Sequence, residues 1–449
     1  MMQVVSTIPD APGALPLLGH TVQLVRRPLS FVESLAAHGD LVRIRIGPVS
    51  AVVVSDPRVL DRLLHDDRVF DKGGPFFDRA REVVGDSLPV CPHSAHRRLR
   101  RLAQPSFHKS RLPGYAEIMT NQITAVVERW RDGQVLDVLR ETTTIASNTL
   151  VATMFSESLP PEVLQRMLTD LAVIVNGIYQ RVIVPRRLAG LNLLGTWRYE
   201  RASRRLREDM SVIIAARRGD GRDHGDLLSA LLDADDPDSD RPRLGDEEII
   251  GQLLSFFWAG TETTGSTVAW ALHMLAHYPE VERRLFEEVD AVLGGRAATY
   301  ADLAQLELTG RIITETMRLW PSAWLLTRTT TVDTVLAGHE IAAGTTIVFG
   351  AYLIHRHPDQ LRVDRFDPDR WLPGNAAPQR ISYVPFGSGA RKCMGDVFSQ
   401  TEATLMLATI AARWRLSHVA DAHVRPKATA ILSPSGLRML ASARTSYQQ

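Results

Sequence analysis

The chain has 449 residues, 45% hydrophobic and 23% charged, and its 52 basic and 51 acidic side chains leave a formal charge of +1. No global field therefore draws in nucleic acid, and the apolar fraction excludes a disordered chain. A length with room for about three domains carries no Gly/Ser- or Pro-rich linker, so residues 1–449 are expected to form one domain.

Met1 to His20 holds Asp10, three prolines and two glycines and lacks the apolar run of a leader or a membrane anchor. A short amphipathic helix is predicted over residues 21–38. Leu41 to Ile46 and Ser50 to Ser55, split by Gly47-Pro48, predict a β-hairpin, and a helix from Pro57 to His65 follows. Phe70 to Pro92 shows little helical or strand period and reads as an apolar loop. The run His96-Arg97-Arg98-Leu99-Arg100-Arg101 has helical spacing, which puts His96 and Arg100 on one face.

Residues 113–218 are mostly helical in period, broken at Asp132-Gly133, Leu159-Pro160-Pro161 and Pro185, and Leu171 to Val184 is unusually apolar. An acidic loop, Asp233 to Pro242, leads into a helix predicted from Asp246 to His277, about 48 Å long at 1.5 Å per residue. Its apolar run is interrupted at the centre by Thr261, Glu262, Thr263 and Thr264, so it is no membrane span. Gly338 to Ile341 and Thr345 to Phe349 predict a second hairpin. Met394 to about Trp414 predicts the last long helix.

The stretch Phe386-Gly387-Ser388-Gly389-Ala390-Arg391-Lys392-Cys393-Met394-Gly395 holds one of only two cysteines in a glycine-punctuated loop that opens into that helix. A helix start and the adjacent Arg391 and Lys392 favour a thiolate. Cys91 lies 393 − 91 = 302 residues away and reads as structural filler. Two thiols so far apart suit a reducing cytoplasm, and a disulfide would consume the sulfur that the loop presents.

Phe386, Gly389, Arg391, Cys393 and Gly395 fit F-x-x-G-x-R-x-C-x-G, which resembles the haem-thiolate motif of the cytochrome P-450 family. Three further stretches resemble that family's patterns in its order. Ala259-Gly260-Thr261-Glu262-Thr263-Thr264 matches the oxygen-activation pattern. Glu315-Thr316-Met317-Arg318 matches E-x-x-R, and Phe366 to Trp371 supplies its partner Arg370. The resemblance implies a mainly helical fold with a small β lobe and a long central helix over haem b. It implies Cys393 as axial ligand to the iron, a thiolate that favours O–O cleavage. His96, Arg100 and Arg328 would bind the propionates, with Arg391, Phe386 and Gly395 shaping the cofactor loop. Gly260 would leave room for dioxygen, while Thr263 and Glu262 would relay protons; the plainer alternative for Thr263 is a hydroxyl bonded back to its own helix. Glu315, Arg318 and Arg370 would form a buried structural trio rather than the surface pair that such spacing usually marks.

The same resemblance implies a pocket lined by Phe76, Phe77, Val83, Leu88, Phe256, Phe257, Ala259, Ala323, Trp324 and Leu325, roofed by Leu171 to Val184. That lining carries no charge and favours an apolar ligand held by shape. The opening, the His96-Arg97-Arg98 run and Trp324 to Arg328 are similar to bacterial sesquiterpene oxidases, which implies stepwise oxidation of a hydrocarbon methyl to alcohol and aldehyde in a terpenoid antibiotic pathway. With about fifty residues after Cys393 there is no room for a flavin domain, so a ferredoxin and its reductase are the expected electron donors to a cytoplasmic, bacterial, monomeric enzyme. Arg97, Arg98 and Arg101 are either a solvated face or a docking patch for that acidic donor. The alternatives are oxidation of another terpene, a fatty acid or a polyketide, a peroxide-driven relative, and a non-catalytic haem sensor or electron carrier.

Overall fold

The 32-residue helix Asp246–His277 runs through the middle of the molecule, with the bounds that its sequence predicts. Its start is fixed by charge. Glu248 accepts from the Gly245 N–H at 3.0 Å, and Asp246 pairs with Arg218 at 2.6 Å, which sets acids on the positive end of the helix dipole. Helices Val138–Phe155, Leu112–Val127 and Asp396–Arg413 pack around it or around each other, and Pro161–Ile183 packs on Leu193–Asp220 beside it. The crossing with Val138–Phe155 is close because Gly265 has no side chain: a Cβ there would sit 2.8 Å from the Thr143 backbone.

The structure, a computed structural model, describes residues 7–156, 159–183, 193–237, 239–357, 364–375 and 380–444. Met1 to Ser6, Val184 and the break expected at Pro185 lie outside the described residues. Among the described residues, no helix is long and apolar enough to cross a membrane.

The β lobe is a five-stranded sheet in the order Leu41–Ile46, Val49–Val54, Thr346–Phe349, Leu326–Thr330, Phe70–Asp71. Alternate residues of its first two strands serve two cores. Leu41, Val52 and Val54 join Leu60, Leu63 and Phe70 on one face; Val42, Ile44, Ala51 and Val53 join Phe31 and Trp324 on the other. Burial on both faces explains why Ala51 to Val54 is a continuous apolar run rather than an alternating one.

Three local predictions differ from the structure. Residues 21–38 form two helices, Thr21–Arg26 and Pro28–Leu35, because Pro28 has no N–H to continue the first and sits well at the start of the second. The loop expected over Phe70 to Pro92 contains the helix Pro75–Val84, whose Phe77, Ala80, Val83 and Val84 face the core at helical spacing. The hairpin expected between 338–341 and 345–349 does not form. His339–Ile341 pairs with Thr334–Leu336 across a turn at Ala337 and Gly338 with φ of 48° and 79°, and Thr346–Phe349 enters the large sheet parallel to Val49–Val54.

Candidate active site

The cysteine loop is tied down before it reaches Cys393. The Cys393 N–H donates to Phe386 O at 2.9 Å and the Gly387 N–H to Val384 O at 3.0 Å. Gly389 adopts a φ of +67°, and a Cβ there would lie 2.4 Å from Leu64 O, so this glycine is required by the chain itself. Gly395 differs: its φ is −88° and a Cβ would meet Phe107 at an ordinary 3.8 Å, so nothing in the chain demands a glycine there. The Cys393 side chain is exposed. Desolvation by the surrounding protein pushes its thiol up, while the Gly395 N–H, Arg100 and Lys392 pull it down toward the thiolate. The helix begins at Asp396, three residues past the sulfur rather than one. Cys91 is fully buried with its Sγ toward Leu88 O.

Beside this loop lies an unusual concentration of positive charge. Arg328 is 2% exposed on its strand, and its Nε and Nη1 have no hydrogen-bond partner. Burial, and then Arg391, lower its pKa to about 10. Lys72 is pushed down by burial and by Arg328 and Arg391. His96, 6% exposed on the helix His93–Ala103, is lowered to about 4 by burial and Arg391, and so presents a neutral ring. Arg100 donates to Lys392 O at 2.6 Å, which holds the loop from below. Arg391 spends three of its five N–H groups on Asp67 at 2.8 Å, Asp71 at 2.8 Å and Cys91 O at 2.9 Å, so its main work is to fasten the loop. Buried donors without acceptors, crowded by like charges, fit a ligand bearing carboxylates, and haem with its two propionates is such a ligand.

On the central helix, Ala259 is exposed and Gly260, Glu262 and Thr263 are partly so, whereas Thr261 and Thr264 are buried. The Thr263 hydroxyl donates to Ala259 O at 2.8 Å, the back-bond weighed from sequence, which leaves its oxygen free to accept. Ser322 and Thr267 both donate to Thr263 O at 3.0 Å. Burial raises the Glu262 carboxyl, opposed by Lys427. A Cβ at Gly260 would lie 2.9 Å from Leu150 Cδ2, so its bareness also makes room for the neighbouring helix.

The expected trio assembles. Glu315 and Arg318, both 0% exposed, pair through Arg318 Nε and Nη2 at 2.9 and 2.8 Å, and Arg370 Nε stands 3.5 Å from the same carboxylate. Two donors that sequence reasoning missed, the Asp367 N–H at 3.1 Å and Trp371 Nε1 at 2.9 Å, complete it. A relay then leads to the cysteine loop. Buried His355 accepts the Val384 N–H at Nε2, 2.9 Å, so its protonated Nδ1 must donate to Arg318 O at 3.0 Å. Burial holds this imidazole down at about 3.

The expected pocket divides. Phe76, Ala259, Ala323 and Leu325 keep exposed surface, but Phe77, Val83, Leu88, Phe256 and Phe257 lie inside the main helical core. Trp324 points into the β lobe, with Nε1 donating to Thr429 O at 2.8 Å. These corrections have one cause: an apolar stretch near the cofactor has two sides, and packing decides which side each residue takes. Trp258, tilted against Phe76 at 5.8 Å between ring centroids, and Phe107, wedged between Gly395 and Phe256, were missed. So was Glu402, 1% exposed beside the Thr264 and Thr149 hydroxyls and raised by burial to about 8. The basic run is not a free patch, since Arg98 pairs with Glu248 at 2.8 Å and Arg101 with Asp236 at 3.2 Å.

The family model described as Cytochrome P450 matches residues 9–440. The chain is 45% identical over 441 residues to a pentalenene oxygenase of Streptomyces avermitilis, covering 98% of each chain. It is 41% identical to a cyclooctat-9-en-7-ol 5-monooxygenase of Streptomyces melanosporofaciens, covering 92% of this chain and 90% of that one. A cyclooctatin synthase of the same organism is 40% identical, with 97% and 95% covered. The crystal structure of the cytochrome P450DA heme domain matches with a TM-score of 0.89 at 27% identity, over 99% of this chain and 100% of that one.

Proposed function

This chain belongs to the cytochrome P450 family, and from that premise we propose that it oxidises a methyl of an apolar sesquiterpene, pentalenene, through the alcohol to the aldehyde. It is a P450 monooxygenase, and proteins of this family bind haem b through a cysteine thiolate. In our reading Cys393 is that ligand, because the other cysteine is sealed in the core. Bound there, haem b would supply one-electron redox chemistry and a site for dioxygen cleavage. Arg328, Lys72, His96 and Arg100 would hold its propionates.

The chain's own residues then handle substrate and protons. Phe76, Trp258, Ala259 and Ala323 offer apolar surface without a fixed ion, which orients a hydrocarbon by shape and excludes water. The Thr263 oxygen, already donating to Ala259 O, can accept a hydrogen bond from water and pass the proton on. Glu262, its carboxyl pushed up by burial, is the nearby acid that can resupply that proton. Electrons come singly from a ferredoxin with its reductase, and the enzyme works as a one-domain monomer in a bacterial cytoplasm.

The observation that carries the reading is the 45% identity to pentalenene oxygenase across 98% of both chains. The cyclooctatin-pathway relatives at 41% and 40% favour a second reading, a larger terpenoid alcohol. One cuvette tests both. The reduced carbon monoxide spectrum should show a thiolate-type Soret band, and adding pentalenene to the ferric protein should convert low spin to high spin. A thiolate band without that shift, but with one on cyclooctat-9-en-7-ol, would select the second reading; no thiolate band would overturn Cys393. Thr263→Ala should divert electrons to peroxide and water, and unchanged product yield would overturn the proton relay.

A further inference from the structure

We propose that His273, His277 and His418 form a binding site for one divalent transition-metal ion of zinc's ligand preference, separate from the haem site and clipping the end of the central helix to the C-terminal sheet. His273 and His277 stand one turn apart on Asp246–His277, and His418 ends the strand Trp414–His418. One ligand atom from each lies within 4.8 Å of the others, and among the described residues this is the group of three metal-ligating side chains so placed. The site begins ten residues past Thr263, about 15 Å along the helix.

The geometry is that of imidazoles converging through their nitrogens. His273 Nδ1 and His418 Nε2 are 2.9 Å apart. Two imidazole nitrogens on one tetrahedral zinc, each about 2.0–2.1 Å from the metal, stand about 3.3 Å apart, so a few tenths of an ångström of opening turns a shared proton into a shared metal. His277 Nδ1 lies 2.9 Å from His273 O and must donate to it, since a carbonyl only accepts; the lone pair is thereby fixed on Nε2. A ligating histidine that anchors its other N–H on a backbone carbonyl is the usual second sphere of a metal site. The helix also ends here, at His277, where its dipole is negative and favours a cation. A water would complete four-coordination.

The mechanical consequence follows from connectivity. Trp414–His418 continues directly from Asp396–Arg413, the helix that leaves the cysteine loop, and pairs with Arg438–Ala443. One ion would therefore join the C-terminal end of the helix that carries Thr263 at its centre to the strand that follows the helix leaving the cysteine loop, binding the folded chain only and raising its unfolding temperature.

Equilibrium dialysis of the haem-loaded protein against radioactive zinc, with unfolding scans in the same buffer, tests this. One zinc per chain is expected, and His277→Ala and His418→Ala should each weaken it by about tenfold or more. Both variants should keep the wild-type haem content and carbon monoxide spectrum and lose the zinc-dependent rise in unfolding temperature. His65→Ala, a surface histidine beside Asp61, should bind zinc as wild type does. No binding at tens of micromolar zinc, or binding that His277→Ala leaves intact or His65→Ala reduces equally, would overturn the proposal. Should His418→Ala lose haem, His277→Ala decides alone, since its side chain is exposed and its loss disturbs no core.

Discussion

Behind Cys393, the Glu315 carboxylate accepts twice from Arg318, once from the Asp367 N–H and once from Trp371, and the line continues through His355 to Val384 and the loop. Across the site, the Thr263 hydroxyl makes one bond, to its own helix, and the Phe76 and Ala323 side chains are held by contact alone. Buried ions must be paired with fixed geometry, so the proximal side is over-determined. The distal side is set by how helices and side chains happen to fill space, which lets a pocket change shape while the cofactor loop stays put.

The largest effect should come from cutting the proximal network. Glu315→Ala strands Arg318 at 0% exposure and should cost about 3–5 kcal/mol, measured as a lower urea midpoint together with loss of haem. A cost in the range of an ordinary surface ion pair, about 0–1 kcal/mol, would erase the contrast between the two sides.

Arg328→Ala should come next. Hydrogen bonds to a charged group contribute about 1.5–3 kcal/mol, so haem should transfer to a competing apoprotein about ten- to a hundredfold faster, with little change in the fold of the haem-free chain. Unchanged retention would mean that the unpartnered Nε and Nη1 serve something else.

These two sites also show what could be read in advance. E-x-x-R and the cysteine motif were legible because a buried charge and a cofactor ligand each demand one residue type at one spacing. The long helix was legible because capping acids and an unbroken apolar period say the same thing. Asp67 and Glu402 left no trace, since an Asp or Glu acquires its meaning only from what folds against it. Trp324 misled for a related reason: it stands in the right stretch but turns into the β lobe. Period and motif place a residue on an element, and packing chooses the side.

A third prediction concerns acid. His355 has a folded pKa of about 3 against 6.5 unfolded, so between those values the unfolded chain binds more protons, and stability falls as pH drops below 6.5. Glu402 runs the other way. Raised to about 8 from 4.5, it favours the folded state at low pH, and that contribution is lost as pH rises from 4.5 through 8. From pH 6.5 to 4.5 the two slopes oppose, each at most about 1.4 kcal/mol per pH unit. Glu402→Gln should therefore steepen the acid loss in chemical denaturation, and His355→Gln should flatten it. Parallel pH profiles for wild type and both variants would mean that neither group titrates on unfolding.

The smallest effects separate the two faces of one short segment. Ala323 keeps exposed surface and is a candidate to meet substrate, whereas its neighbour Trp324 is 5% exposed, packed in the β lobe and bonded to Thr429 O. Ala323→Phe should leave the urea midpoint within about 0.5 kcal/mol of wild type while weakening the spin shift given by pentalenene several-fold. Trp324→Phe should do the opposite, costing about 1 kcal/mol through the lost hydrogen bond with the ligand titration unchanged. Adjacent residues that split stability from binding in this way would show that the substrate wall is one side of a strand-leading segment whose other side is core. If both substitutions moved both readouts, the segment would shift as a unit, and the distal face would be as tightly coupled to the fold as the network behind the cysteine.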